Sequence, residues 1–452
     1  MTLNATRRQF LRTSSTLGVL GTAAPFAMNL AAIGAASAQT AADYKALVCV
    51  FLYGGNDCAN TVIPYDPAAY ATYRTARPEI ARTRESLVGL RTTAGEAPLA
   101  MPPELAALAQ RYNDGQLAIV GNVGPLIAPL NRAQWEARSV PVPSKLFSHN
   151  DQQSTWQASA PEGAQYGWGG RIGDVIAAGN ANQTFTAVSV LGNAVWLSGQ
   201  ASTQYQVTPA GAVEIASIGR SSLFGSTQAP ALLKQMISQT GTQALARDYS
   251  AVTRRSIDAQ KQLATALAAA PALTTTFPGD NGLAAQLRMV ARSIAARGPL
   301  GVARQVFFVS LGGFDHHAGL NGGHPALLKL VGDALDAFYR STVELGVQNQ
   351  VVTFTASDFG RALASNGDGS DHGWGSHHLV LGGAVRGGKV YGRFPIVATG
   401  TDTDAGQGRL IPTTAVDQYA GTFASFMGLS ATQRADVLPN IGRFATPGLD
   451  FV

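Results

Sequence analysis

Three apolar runs in this sequence each deliver an aspartate just past their ends. KALVCVFLY (45–53) is followed by Gly54-Gly55-Asn56-Asp57, and QVFFVSL (305–311) by Gly312-Gly313-Phe314-Asp315-His316-His317. QVVTFTA (350–356) is followed by Ser357-Asp358-Phe359-Gly360-Arg361. Three carboxylates gathered in one place repel one another unless a cation or protons neutralise them. Six of the seven histidines fall between 316 and 378, most densely in Asp371-His372-Gly373-Trp374-Gly375-Ser376-His377-His378. Imidazole with carboxylate suits zinc, manganese or iron, and thiolate ligands are scarce in a chain with two cysteines. Asp57, Asp315, His317, Asp358, Asp371, His372 and one of His377 or His378 offer donors for one or two divalent ions: zinc, manganese or calcium. Two ions ~3.5–4 Å apart suit hydrolysis of phosphate or related esters, since they stabilise both the entering and the leaving oxygen.

Taken singly, each residue has a plainer reading. A strand-end Asp commonly caps a helix or closes a turn, and a single His is commonly a hydrogen-bonded core or surface residue. The joint occurrence carries the metal reading, with His316 and His324 as bystanders and Trp374 as core packing. Two roles stay open for Ser148, which precedes a helical stretch containing Trp156. It either caps that helix or, activated by the helix N-terminus and a nearby ion, attacks a substrate. Thr61 is a weaker rival, and water activated by a metal is the third choice. Arg361 either balances a bound oxyanion or pairs with Asp358.

The elements that must position these residues read as alternating strands and helices. Continuous apolar runs at 45–53, 117–123, 185–191, 305–311 and 350–356 are typical of strands buried on both faces, as in parallel sheets. Helical patterns lie between them at 103–112, 230–270, 281–297 and 325–345. The expected architecture is an α/β fold with a mainly parallel sheet whose binding crevice lies at the strand carboxyl ends. Residues 39–452 read as one large domain with a helical insertion near 220–300. Asp402 and Asp404 have a calcium-loop-like spacing without the closing Glu, and read as a surface turn. Cys49 and Cys58 read as unpaired core residues.

Composition excludes several classes. The 452 residues are 46% hydrophobic and 13% charged, too apolar for a disordered chain. Fifty glycines without a Gly-X-Y period exclude collagen, and two cysteines exclude a disulfide scaffold. Of the formal charge of +5, three units sit on Arg7, Arg8 and Arg12, which leaves +2 and no nucleic-acid footprint. Gly54-Gly55-Asn56-Asp57 lacks the G-x-G-x-x-G spacing of a nicotinamide site. The first 38 residues have a basic head with adjacent arginines followed by Phe10-Leu11, an apolar middle and Ala36-Ser37-Ala38 at the end. This is the layout of a cleavable twin-arginine signal, so periplasmic or secreted location is expected, with the twin-arginine translocase as a partner during export. Pro25, Asn29 and the many small residues make a poor spanning helix, so no stable membrane anchor is expected.

The leader, FLYGGNDCANTVIPYD, GGFDHH, SDFGR, DHGWGSHHLVLGG and LPNIGRF together resemble the exported bacterial proteins of domain-of-unknown-function family 1501. That family is similar to the alkaline phosphatase and sulfatase superfamily, which implies a three-layer α/β/α sandwich with one or two metals at the strand carboxyl ends. By this resemblance Asp57 matches the first-strand metal Asp, and Asp315 with His317 a later Asp and His pair. The superfamily's Asp-His-Gly has two counterparts, Asp358-Phe359-Gly360 and Asp371-His372-Gly373, with His377 or His378 as the final His. The implied activity is metal-dependent hydrolysis of a small anionic ester. The alternative is a periplasmic binding or assembly protein that keeps the fold without turnover.

Overall fold

The structure is a computed structural model that describes residues 44–452 except Ala94 and Leu191. The leader read at 1–38 lies outside the described residues. Six strands form the body of the central sheet: β1 (Lys45–Leu52), β2 (Leu117–Gly124), β3 (Ala187–Val190), β4 (Arg304–Leu311), β5 (Val351–Ser357) and β6 (Ser376–Leu381). Their order is β2-β6-β5-β1-β4-β3, extended at the β2 end by Val390–Tyr391 and at the β3 end by Tyr205–Thr208 and Gly211–Ala212. Strands β5, β1, β4 and β3 run parallel, while β6 runs antiparallel to both β5 and β2.

The apolar run of β1 is continuous because both of its faces are covered. Ala46, Val48, Val50 and Leu52 enter one core, and Leu47, Cys49 and Phe51 the other, as the period of two along a strand dictates. The first core is closed by the helices Ala106–Asn113, Gly282–Ala295 and Leu320–Glu344. The second is closed by Trp168–Ile176 and Val416–Phe426, with Trp156 from the helix His149–Ala158. Helices on both faces of a mainly parallel sheet make a three-layer α/β/α sandwich.

The expected helical insertion is only partly an excursion. Leu283, Leu287, Val290 and Ile294 are fully buried, so the helix Gly282–Ala295 is part of a sandwich layer. Among the described residues no helix is long and apolar enough to cross a membrane.

Candidate metal centre

Because β5, β1 and β4 are neighbours and run in the same direction, the turns after them meet at one edge. Tight glycines make that meeting possible. A Cβ on Gly54 would lie 2.5 Å from the Asp315 backbone nitrogen, and one on Gly55 would lie 2.2 Å from the Phe359 ring. Both glycines have positive φ, +111° and +84°. They thus let the three turns approach one another. Gly55→Ala combines left-handed strain with overpacking and is expected to cost about 2–4 kcal/mol, read as a fall in the urea midpoint.

Four side chains converge there. Asp315 Oδ1 lies 3.1 Å from His317 Nε2 and 3.3 Å from His372 Nε2, and Asp315 Oδ2 lies 3.4 Å from His149 Nε2. His317 Nε2 and His372 Nε2 are 2.9 Å apart. His149 enters from the start of the helix His149–Ala158. His372 comes from a two-stranded ribbon in which it pairs directly with Arg361.

The other ring nitrogens are all engaged. His149 Nδ1 donates to Asp358 Oδ2 and His372 Nδ1 to the Phe147 carbonyl, each at 2.7 Å. His317 Nδ1 faces Asp371 Oδ1 at 3.3 Å. A carboxylate or carbonyl can only accept, so the bonds of His149 and His372 place a proton on Nδ1 of each and turn their Nε2 atoms towards Asp315. Gln153 Nε2 donates to the same Asp358 oxygen at 2.7 Å. Hydrogen bonding to Asp358 raises the His149 pKa above its ordinary value, against the opposing effect of burial. Burial pushes the Asp315 carboxyl up, but Arg361 and the nearby histidines outweigh it and hold the group below the usual carboxylate range. Burial lowers the His372 pKa.

The donor set fits an ion with nitrogen and oxygen ligands. Tetrahedral zinc with bonds of ~2.0–2.1 Å holds its ligand atoms about 3.3 Å apart. The contacts of Asp315 Oδ1 with His317 and His372, 3.1 and 3.3 Å, lie close to that spacing, the 2.9 Å between those two Nε2 atoms is shorter, and the ligand atoms of His149, Asp315 and His372 all lie within 4.8 Å of one another. His149 Nε2 is buried without a hydrogen-bond partner. Two Nε2 lone pairs facing each other would repel unless a proton or cation lies between them. Fixing a ligating imidazole through its other nitrogen is also how metal sites are commonly built.

Several of the expected site residues lie elsewhere. Asp57 is buried, and both of its oxygens accept from the Arg77 guanidinium, one at 2.7 Å and the other in a shorter contact. It is one half of a buried structural ion pair, and its Oδ1 also accepts from the Asn60 amide. His377 and His378 are consecutive on β6 and therefore point to opposite faces. His377 stacks on Phe394 and accepts from the Asn122 amide, whereas His378 packs on Trp156 and Tyr419. Both rings are buried in aromatic packing, and neither is among the groups that approach Asp315, so neither is the expected final His of the site. The donors that remain suit one ion, where the sequence allowed two.

Ser148 begins the helix, but its hydroxyl donates to Asp151 Oδ2 at 3.1 Å. Arg361 pairs with Asp315 at 2.5 Å, not with Asp358, and also donates to Gly54 and Ser370. Thr61 bonds to the Asp57 carbonyl, and His324 to Asn56. Asp404 accepts from the amides of Gly400, Gly406 and Gly408, so 400–408 is a self-closed turn. Cys49 and Cys58 are both free and buried.

Sequence reasoning missed His149, the one histidine outside the 316–378 cluster. Its signal was adjacency to Ser148 at the start of a helix. Phe359 stands where a histidine was looked for, and its ring packs against both His149 and His372.

A family model described as a protein of unknown function, DUF1501, matches residues 44–416. No curated protein matches the sequence. Among solved structures, Ps i-CgsB in complex with k-i-k-neocarrahexaose is similar over 90% of this chain and 77% of that one, at 9% identity and TM-score 0.35. A Bacteroides thetaiotaomicron 4S-sulf structure, from work on metabolism of multiple glycosaminoglycans, is similar over 87% and 74%, at 8% identity and TM-score 0.36. A mutant of alkaline phosphatase PafA is similar over 71% and 64%, at 14% identity and TM-score 0.26. These superpositions are loose, and the fold is read from the sheet order and layers described above.

Proposed function

We propose, for a chain that belongs to the DUF1501 family of proteins of unknown function, a metal-dependent hydrolase of phosphate or sulfate esters. One divalent ion would be held by His149, Asp315, His317 and His372. The observation that carries this reading is the convergence of three imidazole Nε2 atoms on one carboxylate, with the His149 and His372 rings fixed by hydrogen bonds from behind. When bound, a divalent ion supplies Lewis acidity and brings the pKa of water towards neutrality. Asp358 sets the tautomer and orientation of His149, Phe147 does so for His372, and Arg361 holds Asp315 in place. With the Ser148 hydroxyl bonded to Asp151, water is the nucleophile favoured here. The leader places this activity in the periplasm or outside the cell, reached through the twin-arginine translocase, with a small anionic ester as substrate.

A second reading has an observation of its own. Arg361 is buried with each of its nitrogens already engaged by Asp315, Gly54 or Ser370, and the Ser148 hydroxyl donates to Asp151. That favours a binding or assembly protein that holds the ion without turnover.

Metal content decides first. Mature protein dialysed with zinc or manganese is expected to retain about one ion per chain, and His149→Ala/Asp315→Ala to retain almost none. Equal content in the two would remove the metal reading. Hydrolysis of p-nitrophenyl phosphate or sulfate by the loaded protein then supports the hydrolase, and Ser148→Ala is expected to leave it unchanged. A loaded protein inert towards both esters supports the second reading.

A further inference from the structure

His372 is the one nitrogen ligand candidate whose ring is oriented by a backbone carbonyl, and that carbonyl is unusual. Phe147 has φ +71°, a left-handed conformation that a bulky residue rarely adopts. Its oxygen accepts from His372 Nδ1 at 2.7 Å. One side chain grips both partners of this bond. Arg409 Nε donates to the His372 carbonyl at 3.0 Å, and the Arg409 guanidinium lies 4.9 Å from the centre of the Phe147 ring. A guanidinium at this distance over an aromatic face is attracted to it.

Arg409 is itself held firmly. The turn at 400–408, closed by Asp404, delivers it. Gly408 accepts from the Leu363 amide and Leu410 from the Gly375 amide, which ties the turn to the chain on both sides of His372. The spacing that resembled a calcium loop therefore has a different use.

We propose that Arg409 is a positioning residue for the candidate metal centre, clasping Phe147 to His372 so that the His372 Nε2 lone pair stays directed at Asp315. This inference rests on the metal reading above. A group that orients a ligating imidazole typically contributes 10–100-fold to metal affinity. Because Arg409 would act only through His372, its effect must vanish when His372 is absent. A purely structural role would persist.

The test is a double-mutant cycle read by cobalt(II) titration of the full mature chain, monitored by the visible absorption of the bound ion. Arg409→Gln is expected to weaken cobalt binding about tenfold and to shift the absorption band. In the His372→Ala background, where His149, Asp315 and His317 remain, Arg409→Gln is expected to add nothing. Wild-type affinity in Arg409→Gln, or an equal loss in both backgrounds, overturns the proposal and leaves the metal reading standing. No cobalt binding by the wild-type chain overturns both. Should Arg409→Gln fail to fold, Phe147→Leu removes the ring face but keeps the carbonyl. It is expected to lose affinity several-fold, and an unchanged affinity would overturn the clasp.

Discussion

Replacing Arg77 by methionine is expected to destabilise the fold by about 3–5 kcal/mol, because it leaves a carboxylate buried without a counter-charge. Asp57 and Arg77 are both nearly inaccessible, at 1% and 0% exposure, and form a two-bond ion pair. Burial pushes the Asp57 carboxyl up, but the Arg77 guanidinium outweighs it and holds the group below its ordinary range. In the wild type the pair therefore contributes stability above the ordinary carboxylate pKa, which is lost as pH falls through the lowered folded value. Without Arg77 the burial effect is opposed only by the weaker pull of His324 and Arg361, so Asp57 takes up a proton at higher pH and the deficit of the variant shrinks on acidification. Urea denaturation at pH 7.5 and pH 5 measures both effects. A deficit under 1 kcal/mol at pH 7.5 would contradict the pairing. Removing both charges, as Arg77→Met/Asp57→Leu, is expected to recover much of the loss, since a buried pair often does little better than apolar residues of similar volume.

Acid is expected to unfold this protein well above the range in which carboxylates titrate. Burial pushes His324, His377 and His378 each down to about 3. Their unfolded value is about 6.5, so as pH falls the unfolded chain binds protons first. Their contribution is complete above the unfolded value and is lost progressively between there and the folded value. By pH 5 each costs about 2 kcal/mol, and the three together about 6 kcal/mol. That is comparable with the whole stability of an ordinary domain, about 5–15 kcal/mol. His149, whose pKa is raised, works in the opposite direction, as does the raised carboxyl of Asp417 at lower pH. Neither is large enough in number to offset three buried imidazoles. The measurement is the urea midpoint of chelator-treated protein at pH 7.5, 6 and 5. His378→Phe, which keeps ring packing against Trp156 and Tyr419, is expected to flatten the fall by about a third. An unchanged midpoint between pH 7.5 and pH 5 would refute the argument.

The layers of the fold were legible because strand burial writes itself into the sequence. An apolar residue at every position of ALVCVFL (46–52) admits only a strand covered on both faces, and that placed Asp315 and Asp358 at a shared edge. Asp371, His372 and His317 followed from their proximity in sequence to those strand ends. His377 and His378 misled because SHHLVL begins with three polar residues and does not announce a strand. Once it is one, neighbouring side chains must part to opposite faces. Asp57 misled for a different reason. Its partner Arg77 lies twenty positions on, at the end of the helix Pro67–Ala76, and nothing in a stretch such as RTARPEI marks which base will turn inward. His149 was overlooked because one imidazole at a helix start has no periodicity to betray it. Its role is created by Asp358, which is distant in sequence.

The position of β1 has a consequence for synthesis. The first strand among the described residues sits at the middle of the sheet, where Ala46 pairs with Gln305 on one side and Val351 on the other. At typical translation rates of about 5–20 residues per second, this segment waits roughly 15–60 s for its second neighbour. Until the first of these neighbours is made both edges of the apolar stretch 46–52 are open, and one edge stays open until the second follows, a ready template for mispairing with other nascent chains. Recombinant yield should therefore depend more on chaperone supply and growth temperature than on the stability of the finished molecule.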